Sequence, residues 1–342
     1  MRIERVLIQG LRVLNSRDDR LLGLDGEILP ALCLRGPTGS GKTTYLEVLA
    51  QLWQWFRRCA AAKGFAKPTG TPLLGEAALC AVLLSGLPGP RPRMWLAYGK
   101  PEQLRQRLGD QTDLPLKFKD DSVTFDQDLL SYWRGTFESA EKGILGGAPA
   151  PPNIVWIEAE NKHIRPLHTD ELTGNSVTAA YYAVARYLPE ARGASHLEGL
   201  IRTLALTALT QPEPWDDLAQ AIEDVRPGLR LLKEFQERTE RPLLQRTDGA
   251  RLTVDRLSAG ERSLLINLCM VLRWLTPGGI VLLDEPELHQ HLSLMRGSLA
   301  LLRWLVCERR KGQLLVASHA PEVWDAFRPT GAITDLGDED VA

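Results

Sequence analysis

A run of glycine, lysine and threonine near the N-terminus could bind the phosphates of a nucleotide. Residues 36–43 fit the P-loop pattern G-x-x-x-x-G-K-[ST]. Glycines let backbone N–H groups turn toward phosphate oxygens, and the N-terminus of a following helix adds partial positive charge. Lys42 is predicted to reach the β- and γ-phosphates of ATP, and the Thr43 hydroxyl to ligate Mg²⁺. The predicted ATP-binding residues here are Gly36, Pro37, Thr38, Gly39, Ser40, Gly41, Lys42, Thr43 and Thr44.

A pair of acids follows an apolar run near the other end of the chain. Residues 280–283 read Ile-Val-Leu-Leu, and Asp284 and Glu285 come directly after them. Ligand sites of α/β proteins form where parallel strands end, so these carboxylates would face a bound ligand. We predict that Asp284 holds Mg²⁺ and that Glu285 is the catalytic base that polarises an attacking water. The alternative is an acidic turn at the surface.

A second helix start could also bind an anion. Ser258 and Glu261 have the spacing of a capping box, which alone would explain both residue types. The segment nevertheless lies shortly before the acid-ended strand, and a Ser-x-Gly helix start is a second phosphate-binding device. We therefore predict that Ser258, Ala259, Gly260 and Glu261 bind ATP. The P-loop and the Ser-x-Gly helix start of the same chain can hardly both surround one γ-phosphate. One of the two would therefore come from outside this chain.

A histidine follows the last apolar run. His319 comes after residues 314–317, which would form a strand beside the acid-ended one. The alternative is a histidine with no role at the surface. We predict that His319 contacts the γ-phosphate as a third catalytic residue, beside Glu285 and Lys42.

The elements that carry these residues alternate between strand and helix, which predicts a mostly parallel sheet in an α/β fold. Strands at 78–84 and 93–98 look like antiparallel neighbours, and helices are predicted near 195–209 and 228–238. Three domains are predicted: an ATP-binding lobe with the P-loop and antiparallel β elements (1–100), a mainly helical insertion (101–250), and a lobe that completes the ATPase core (251–342).

Composition narrows the functional classes. The formal net charge is −2, which argues against a permanently basic clamp for nucleic acid. The five scattered cysteines fit a reducing cytoplasm and offer no zinc site. The opening residues are too polar for a signal peptide, and no apolar run is long enough to span a membrane. These features predict a cytoplasmic protein with no membrane partner.

The order of these motifs carries a family resemblance. The chain resembles the ABC-type ATPase head of the SMC, RecF and OLD-like proteins. The resemblance lies in the order of four motifs: the P-loop, LSAGE (257–261), LLDEPE (282–287) and SH (318–319). The opening MRIERVLIQGLRVL is similar to the first strand of that head, and the segments around LSAGE and LLDEPE resemble the OLD-like branch. The resemblance covers roughly residues 1–60 and 250–325.

The resemblance implies roles for individual residues. Lys42 and Thr43 would bind ATP·Mg²⁺, Asp284 would be the metal-side acid and Glu285 the base, and His319 would be the switch histidine. Ser258 and Gly260 would contact the γ-phosphate held by a partner subunit, so the protein would be a homodimer that sandwiches ATP. Residues 287–291 would form the loop that links the two sites across the dimer.

The chain also departs from these families. It has neither a long coiled coil nor a zinc-hook cysteine pair, and it ends soon after His319, where OLD-like nucleases carry a Toprim domain. No glutamine has the context of a Q-loop; Gln103, Gln106 and Gln111 are the candidates.

Three functions follow from these resemblances. The first is an ATPase that controls a separate effector, a nuclease or toxin, as in bacterial anti-phage defence. The second is a RecF-like repair clamp that binds DNA directly. A transporter subunit ranks last because Lys42 and Ser258 are far apart for that class.

Overall fold

The centre of the fold is a parallel β-sheet. The computed structural model describes residues 1–67, 72–119, 122–142, 150–159, 184–186, 196–236, 241–288 and 290–337. Within these residues six strands form the central sheet, and each neighbouring pair is parallel. In spatial order they are β15 (Ile333–Asp335), β3 (Ala31–Arg35), β14 (Gln313–Ser318), β13 (Ile280–Asp284), β8 (Ile154–Ile157) and β9 (Val184–Arg186). The predicted α/β fold with a mostly parallel sheet is confirmed.

An antiparallel sheet packs beside this centre. Its order is β2 (Leu14–Arg20), β1 (Arg2–Leu11), β4 (Leu79–Ser85) and β5 (Arg93–Gly99), and the predicted antiparallel pairing of the last two strands is confirmed. The fully buried Gln313 of β14 joins the two sheets. Its amide nitrogen donates to the carbonyls of Ile3 and Leu29, and its oxygen accepts from the Ile3 N–H at 2.6 Å. These bonds satisfy a buried amide that would otherwise be costly.

Helices and short strands complete the described chain. The helices are α1 (Lys42–Ala62), α2 (Pro72–Glu76), α3 (Pro101–Leu108), α4 (Gln127–Glu141), α5 (His196–Thr207), α6 (Glu213–Val225), α7 (Ala259–Trp274), α8 (Leu292–Arg303) and α9 (Pro321–Trp324). A π-helical segment, Trp304–Arg309, continues α8. The remaining strands are β6 (Leu116–Lys119), β7 (Ser122–Phe125), β10 (Leu229–Phe235), β11 (Pro242–Arg246) and β12 (Arg251–Thr253). None of the described helices has the length and apolar character that a membrane span requires.

Aromatic side chains fix the helix that follows the P-loop. Trp53 and Phe56 of α1 are almost completely buried and meet Trp133 of α4 at ring-centroid distances of 5.5 and 5.7 Å. Edge-to-face contacts of this kind add to the free energy gained by burying the rings. The rings therefore pack the core, and α1 is held firmly behind the P-loop.

One predicted helix is wrong. Residues 228–238 were expected to be helical, but Leu229–Phe235 form β10. Leu229 and Leu231 are buried while Arg230 between them is exposed, which is the alternation of a strand. Gly228, at φ 90°, makes the turn into the strand, and β11 supplies the pairing partner. The non-local pairing therefore outweighs the local pattern.

The region between residues 101 and 250 contributes both helices and strands. Its described residues form α3 to α6 and β6 to β11, and β8 and β9 belong to the central sheet. The three predicted domains, 1–100, 101–250 and 251–342, stay a prediction.

Candidate functional site

The candidate site lies where three neighbouring strands of the central sheet end. The strands β3, β14 and β13 are adjacent and parallel, and their register pairs Arg35 with Ser318 and Ala317 with Asp284. The turns that follow them begin at Gly36, His319 and Glu285. The same edge of the sheet therefore carries the P-loop, the histidine and the acids, as expected for a ligand site of an α/β protein.

The P-loop backbone has the shape that phosphate binding requires. Gly39 and Gly41 have φ values of 87° and 90°, which glycine adopts without the steric cost of a Cβ atom. A Cβ atom on Gly36 would lie 2.5 Å from the Ser40 Oγ. Gly41 is the N-cap of α1 and has no side chain to cap the helix, so the first N–H groups of α1 can bind an anion.

The polar side chains of the P-loop fit a triphosphate. Lys42 is 5% exposed, and its ammonium donates to the carbonyls of Gly36 at 2.8 Å and Pro37 at 2.7 Å. The buried Ser40 Oγ has no hydrogen-bond partner among the described residues. A buried cation and an unsatisfied hydroxyl are the groups that phosphate oxygens would satisfy. Thr38 is exposed on the loop, and Thr44 lies in the first turn of α1.

A direct hydrogen bond joins the P-loop helix to the acid-ended strand. The Thr43 hydroxyl donates to the Asp284 Oδ2 at 2.7 Å, although the two residues are 241 positions apart in sequence. Asp284 is 2% exposed. Hydroxyl and carboxylate oxygens are hard ligands that suit Mg²⁺, and here they stand side by side at the mouth of the P-loop. The residues present therefore fit a Mg²⁺ ion that is bound together with a nucleotide.

The acid turn meets the histidine. The Oε1 of Glu285 lies 3.4 Å from the Nδ1 of His319, and the Glu285 N–H donates to the carbonyl of Ala317 at 2.9 Å. Glu285 has φ 43°, a left-handed conformation that is uncommon for a side-chain-bearing residue and is often found at functional sites. The structure thus brings Lys42, Thr43, Asp284, Glu285 and His319 to one edge of the sheet.

The LSAGE segment caps a different helix. The Ser258 Oγ accepts from the Glu261 N–H at 3.3 Å, and the Glu261 carboxylate accepts from the Ser258 N–H at 2.9 Å. Ala259 and Gly260 form the first turn of α7. No hydrogen bond or ion pair within the described chain links residues 258–261 to residues 36–44. The predicted ATP-binding residues therefore form two separate groups within one copy.

Comparison with protein families gives a match over the second half of the chain. A family described as "AAA domain, putative AbiEii toxin, Type IV TA system" matches residues 152–325, just over half of the chain. The chain belongs to this family. The match includes LSAGE, both acids and His319, and the P-loop lies before it. With the P-loop before this match and the parallel sheet that carries it, the chain has the α/β architecture of a P-loop protein.

Solved structures with a similar course of the chain include two SMC heads. The SMC head domain of Pyrococcus furiosus, with an extended coiled coil and bound to the C-terminal domain of ScpA, is 12% identical with a TM-score of 0.47, covering 95% of this chain and 91% of that chain. The SMC head domain of Thermotoga maritima is 12% identical with a TM-score of 0.44, and the match covers 95% of this chain and 92% of that chain. A dimeric ATP-binding cassette bound to ADP and Pi is 14% identical with a TM-score of 0.39, and the match covers 98% of this chain and 97% of that chain. No curated protein matches the chain.

Two arginines of the AAA-domain chain contact the LSAGE segment or the turn just before it. Arg226, just after α6, donates to Glu261 at 3.0 Å, and Arg241 binds both Asp255 and Glu198 of α5 at 2.7 Å. Sequence reasoning missed these residues because an ion pair between distant positions leaves no spacing to detect. Both arginines lie in the region predicted to be an insertion, so that region directly supports the LSAGE segment.

The capping box predicts a pH-dependent stability. Burial raises the pKa of Glu261, but hydrogen bonds from Ser258 and Arg226 outweigh it and hold the pKa below its usual value. The ionised carboxylate therefore stabilises the fold above the usual glutamate pKa, and this contribution is lost as the pH falls through the lower folded value. Glu261→Gln is expected to lower the free energy of unfolding by about 1 kcal/mol at pH 7.

Urea unfolding at pH 7 and near pH 4 checks this expectation. The difference in the free energy of unfolding between the wild type and Glu261→Gln should shrink at the lower pH. Glu27→Gln, at an exposed position outside the helices, should show no such difference at either pH. If the variant lowers the free energy of unfolding by the same amount at both pH values, the charge of Glu261 is not the cause.

Proposed function

We propose that this chain hydrolyses ATP with Mg²⁺ at a site shared between two copies, and that hydrolysis controls a separate effector, a nuclease or toxin. The observation that carries the proposal is the hydrogen bond between Thr43 and Asp284, with Glu285 and His319 beside it. This arrangement supports the proposal, because it puts the predicted phosphate loop, two oxygens suited to Mg²⁺, a carboxylate and a histidine at one edge of the sheet.

Each residue at this edge has a task that its position supports. Bound ATP·Mg²⁺ supplies the phosphoryl group and a cation that offsets its charge. The Lys42 ammonium and the first N–H groups of α1 bind phosphate oxygens, and Thr43 and Asp284 hold the metal. Glu285 is partly exposed, so it can orient a water molecule and accept its proton. His319 contacts the γ-phosphate.

The second phosphate-binding device supports a dimer. Ser258 and Gly260 stand at the N-terminus of α7, where backbone N–H groups favour an anion. Within the described part of one copy no hydrogen bond or ion pair joins them to the P-loop. A two-fold pair of copies would place the LSAGE segment of each against the P-loop of the other and form two equivalent sites. ATP then joins the copies, and hydrolysis separates them.

The effector is the part of the proposal that rests on the family. Its description names a putative AbiEii toxin and a type IV TA system. The resemblance to OLD-like ATPases adds that heads of this type work with a nuclease. An ATP-driven dimer can drive such a partner because closure changes the surface that the partner binds.

Affinity capture from the native host tests the effector directly. Tagged Glu285→Gln, purified with ATP and Mg²⁺, is expected to retain a stoichiometric nuclease or toxin that mass spectrometry identifies. Tagged Lys42→Ala, which cannot close around ATP, is the matched control and should retain much less of it. If only nuclease-sensitive DNA remains bound to Glu285→Gln, effector control is wrong and a RecF-like clamp takes its place.

A further inference from the structure

The start of α7, which is proposed to meet the γ-phosphate of the other copy, carries a negative charge of its own. The Glu261 side chain lies in the first turn of this helix and is 6% exposed. Burial alone would raise its pKa, but hydrogen bonds from Ser258 and Arg226 hold the pKa below its usual value, so the carboxylate is ionised at pH 7. The N–H groups of Ala259 and Gly260, in the same turn, have no intrahelical partner and would face the phosphate. An ionised carboxylate beside them opposes the approach of an anion.

One arginine from outside the LSAGE segment contacts this carboxylate. The Nε of Arg226 donates to the Oε1 of Glu261 at 3.0 Å. The other oxygen, Oε2, accepts from the N–H and from the hydroxyl of Ser258, both at 2.9 Å. The Arg226 side chain is 50% exposed, and its two terminal nitrogens make no hydrogen bond to the residues that the structure describes. A single carboxylate therefore links Ser258 to a cation that stays at the surface.

The backbone around Arg226 holds this cation in place. The N–H of Arg226 donates to the carbonyl of Ile222, in the last turn of α6, at 2.8 Å. Its carbonyl accepts from the N–H of Leu229, the first residue of β10, at 3.0 Å. The side chains of Ile222 and Leu229 are both buried. The guanidinium therefore extends from a fixed point between a packed helix and a paired strand.

Two other arginines near the LSAGE segment bind elsewhere. The Nη1 of Arg262 donates to two backbone carbonyls of the turn before α7, at 3.0 and 3.4 Å. Arg241 pairs with acids that lie outside the segment. Among the described residues, Arg226 is thus the cation that forms an ion pair with Glu261.

We propose that Arg226 is a positioning residue of the shared site: its cation offsets the charge of Glu261, so that the LSAGE segment of one copy can accept the γ-phosphate held by the other. This inference rests on the ATP-sandwiched dimer proposed above. Glu261 is needed to order the helix start through Ser258, and Arg226 makes that carboxylate compatible with a phosphate. The effect acts on the partner's nucleotide and leaves the P-loop of the same copy untouched.

Dimerisation measured by analytical ultracentrifugation, with Mg²⁺ and an ATP analogue that cannot be hydrolysed, tests the proposal. Arg226→Gln should raise the dissociation constant of the dimer about 100-fold, because a dimer contains two sites and each loses about tenfold. Adding Glu261→Gln to this variant removes both charges and should return the constant to within about threefold of the wild type. Arg230→Gln is the matched control, because Arg230 is exposed and pairs with Glu223, and it should behave as the wild type.

ATP binding by dilute monomers gives the second readout. Arg226→Gln should bind a fluorescent ATP analogue as tightly as the wild type, because its own P-loop is unchanged. If Arg226→Gln does not fold, Glu261→Gln alone carries the test. It leaves the Arg226 charge without an opposing acid, so its dimers should be tighter than those of the wild type.

The outcomes separate this inference from the function on which it rests. Wild-type dimerisation in Arg226→Gln would overturn the role of Arg226, and so would monomers of that variant that no longer bind ATP. A double variant as weak as Arg226→Gln would overturn charge offset, and dimers of Glu261→Gln no tighter than those of the wild type would do the same. If the wild type itself forms no dimer with the analogue, the shared site proposed above is wrong and the role of Arg226 fails with it.

Discussion

Glu285→Gln is expected to lower ATP turnover by about 10²- to 10³-fold while ATP binding stays intact. The amide keeps the shape of the side chain but cannot accept a proton from the attacking water. Thr43, Asp284 and the P-loop are unchanged, so the nucleotide still binds. Because hydrolysis no longer separates the copies, dimers should accumulate with ATP and Mg²⁺.

Phosphate release, ATP binding by calorimetry and molar mass by light scattering measure the three parts of this result. Glu308→Gln is the matched control, because Glu308 is an exposed carboxylate in the π-helical segment after α8. It should behave as the wild type in every assay. Normal turnover in Glu285→Gln would remove that residue from the role of base.

Lys42→Ala should weaken ATP binding by at least about 100-fold, because it removes the charge-assisted hydrogen bonds to the phosphates. Lys42 is nearly buried, so neither water nor another side chain can easily replace its ammonium. Calorimetry or a fluorescent ATP analogue measures the loss. Lys100→Ala, at the exposed N-cap of α3, is the control and should bind ATP normally. Retained binding in Lys42→Ala would contradict the predicted P-loop role.

The same variant also tests whether two copies share each site. Ser258→Arg should block the LSAGE contact and abolish turnover, as Lys42→Ala does. A mixed dimer of the two variants has one intact site, made of the P-loop from one copy and the LSAGE segment from the other. Equal mixing should therefore restore about a quarter of wild-type activity if the copies pair at random. No recovery, with mixed dimers demonstrated, would argue that each copy works alone.

The parts of the site that could be predicted from sequence are those with local spacing. The P-loop pattern is contained in eight consecutive residues, and the acid pair directly follows an apolar strand. The rule that parallel strands carry ligands at their carboxyl ends then brings Thr43 and Asp284 together across 241 positions. The structure places the two oxygens 2.7 Å apart.

The parts that could not be predicted depend on partners that lie far away in sequence. Residues 229–235 follow Pro227 and contain several good helix formers, yet pairing with β11 makes them a strand. The ion pairs from Arg226 to Glu261 of the LSAGE segment and from Arg241 to Asp255 before it have no fixed spacing that could reveal them. Glu287 resembles any polar residue of a turn until Ser318 is seen to donate to it. In each case tertiary contacts decide what local propensity leaves open.

The order of strands in the central sheet has a consequence for protein synthesis. The neighbours of β3 in that sheet are β14 and β15, which come almost 300 residues later. The strand that leads into the P-loop therefore cannot enter the sheet on the ribosome until most of the chain has emerged. An incomplete chain has no Asp284 beside Thr43 and no histidine turn. Prematurely terminated chains therefore lack the assembled site, because the fold completes that site only when the last strands of the central sheet have been made.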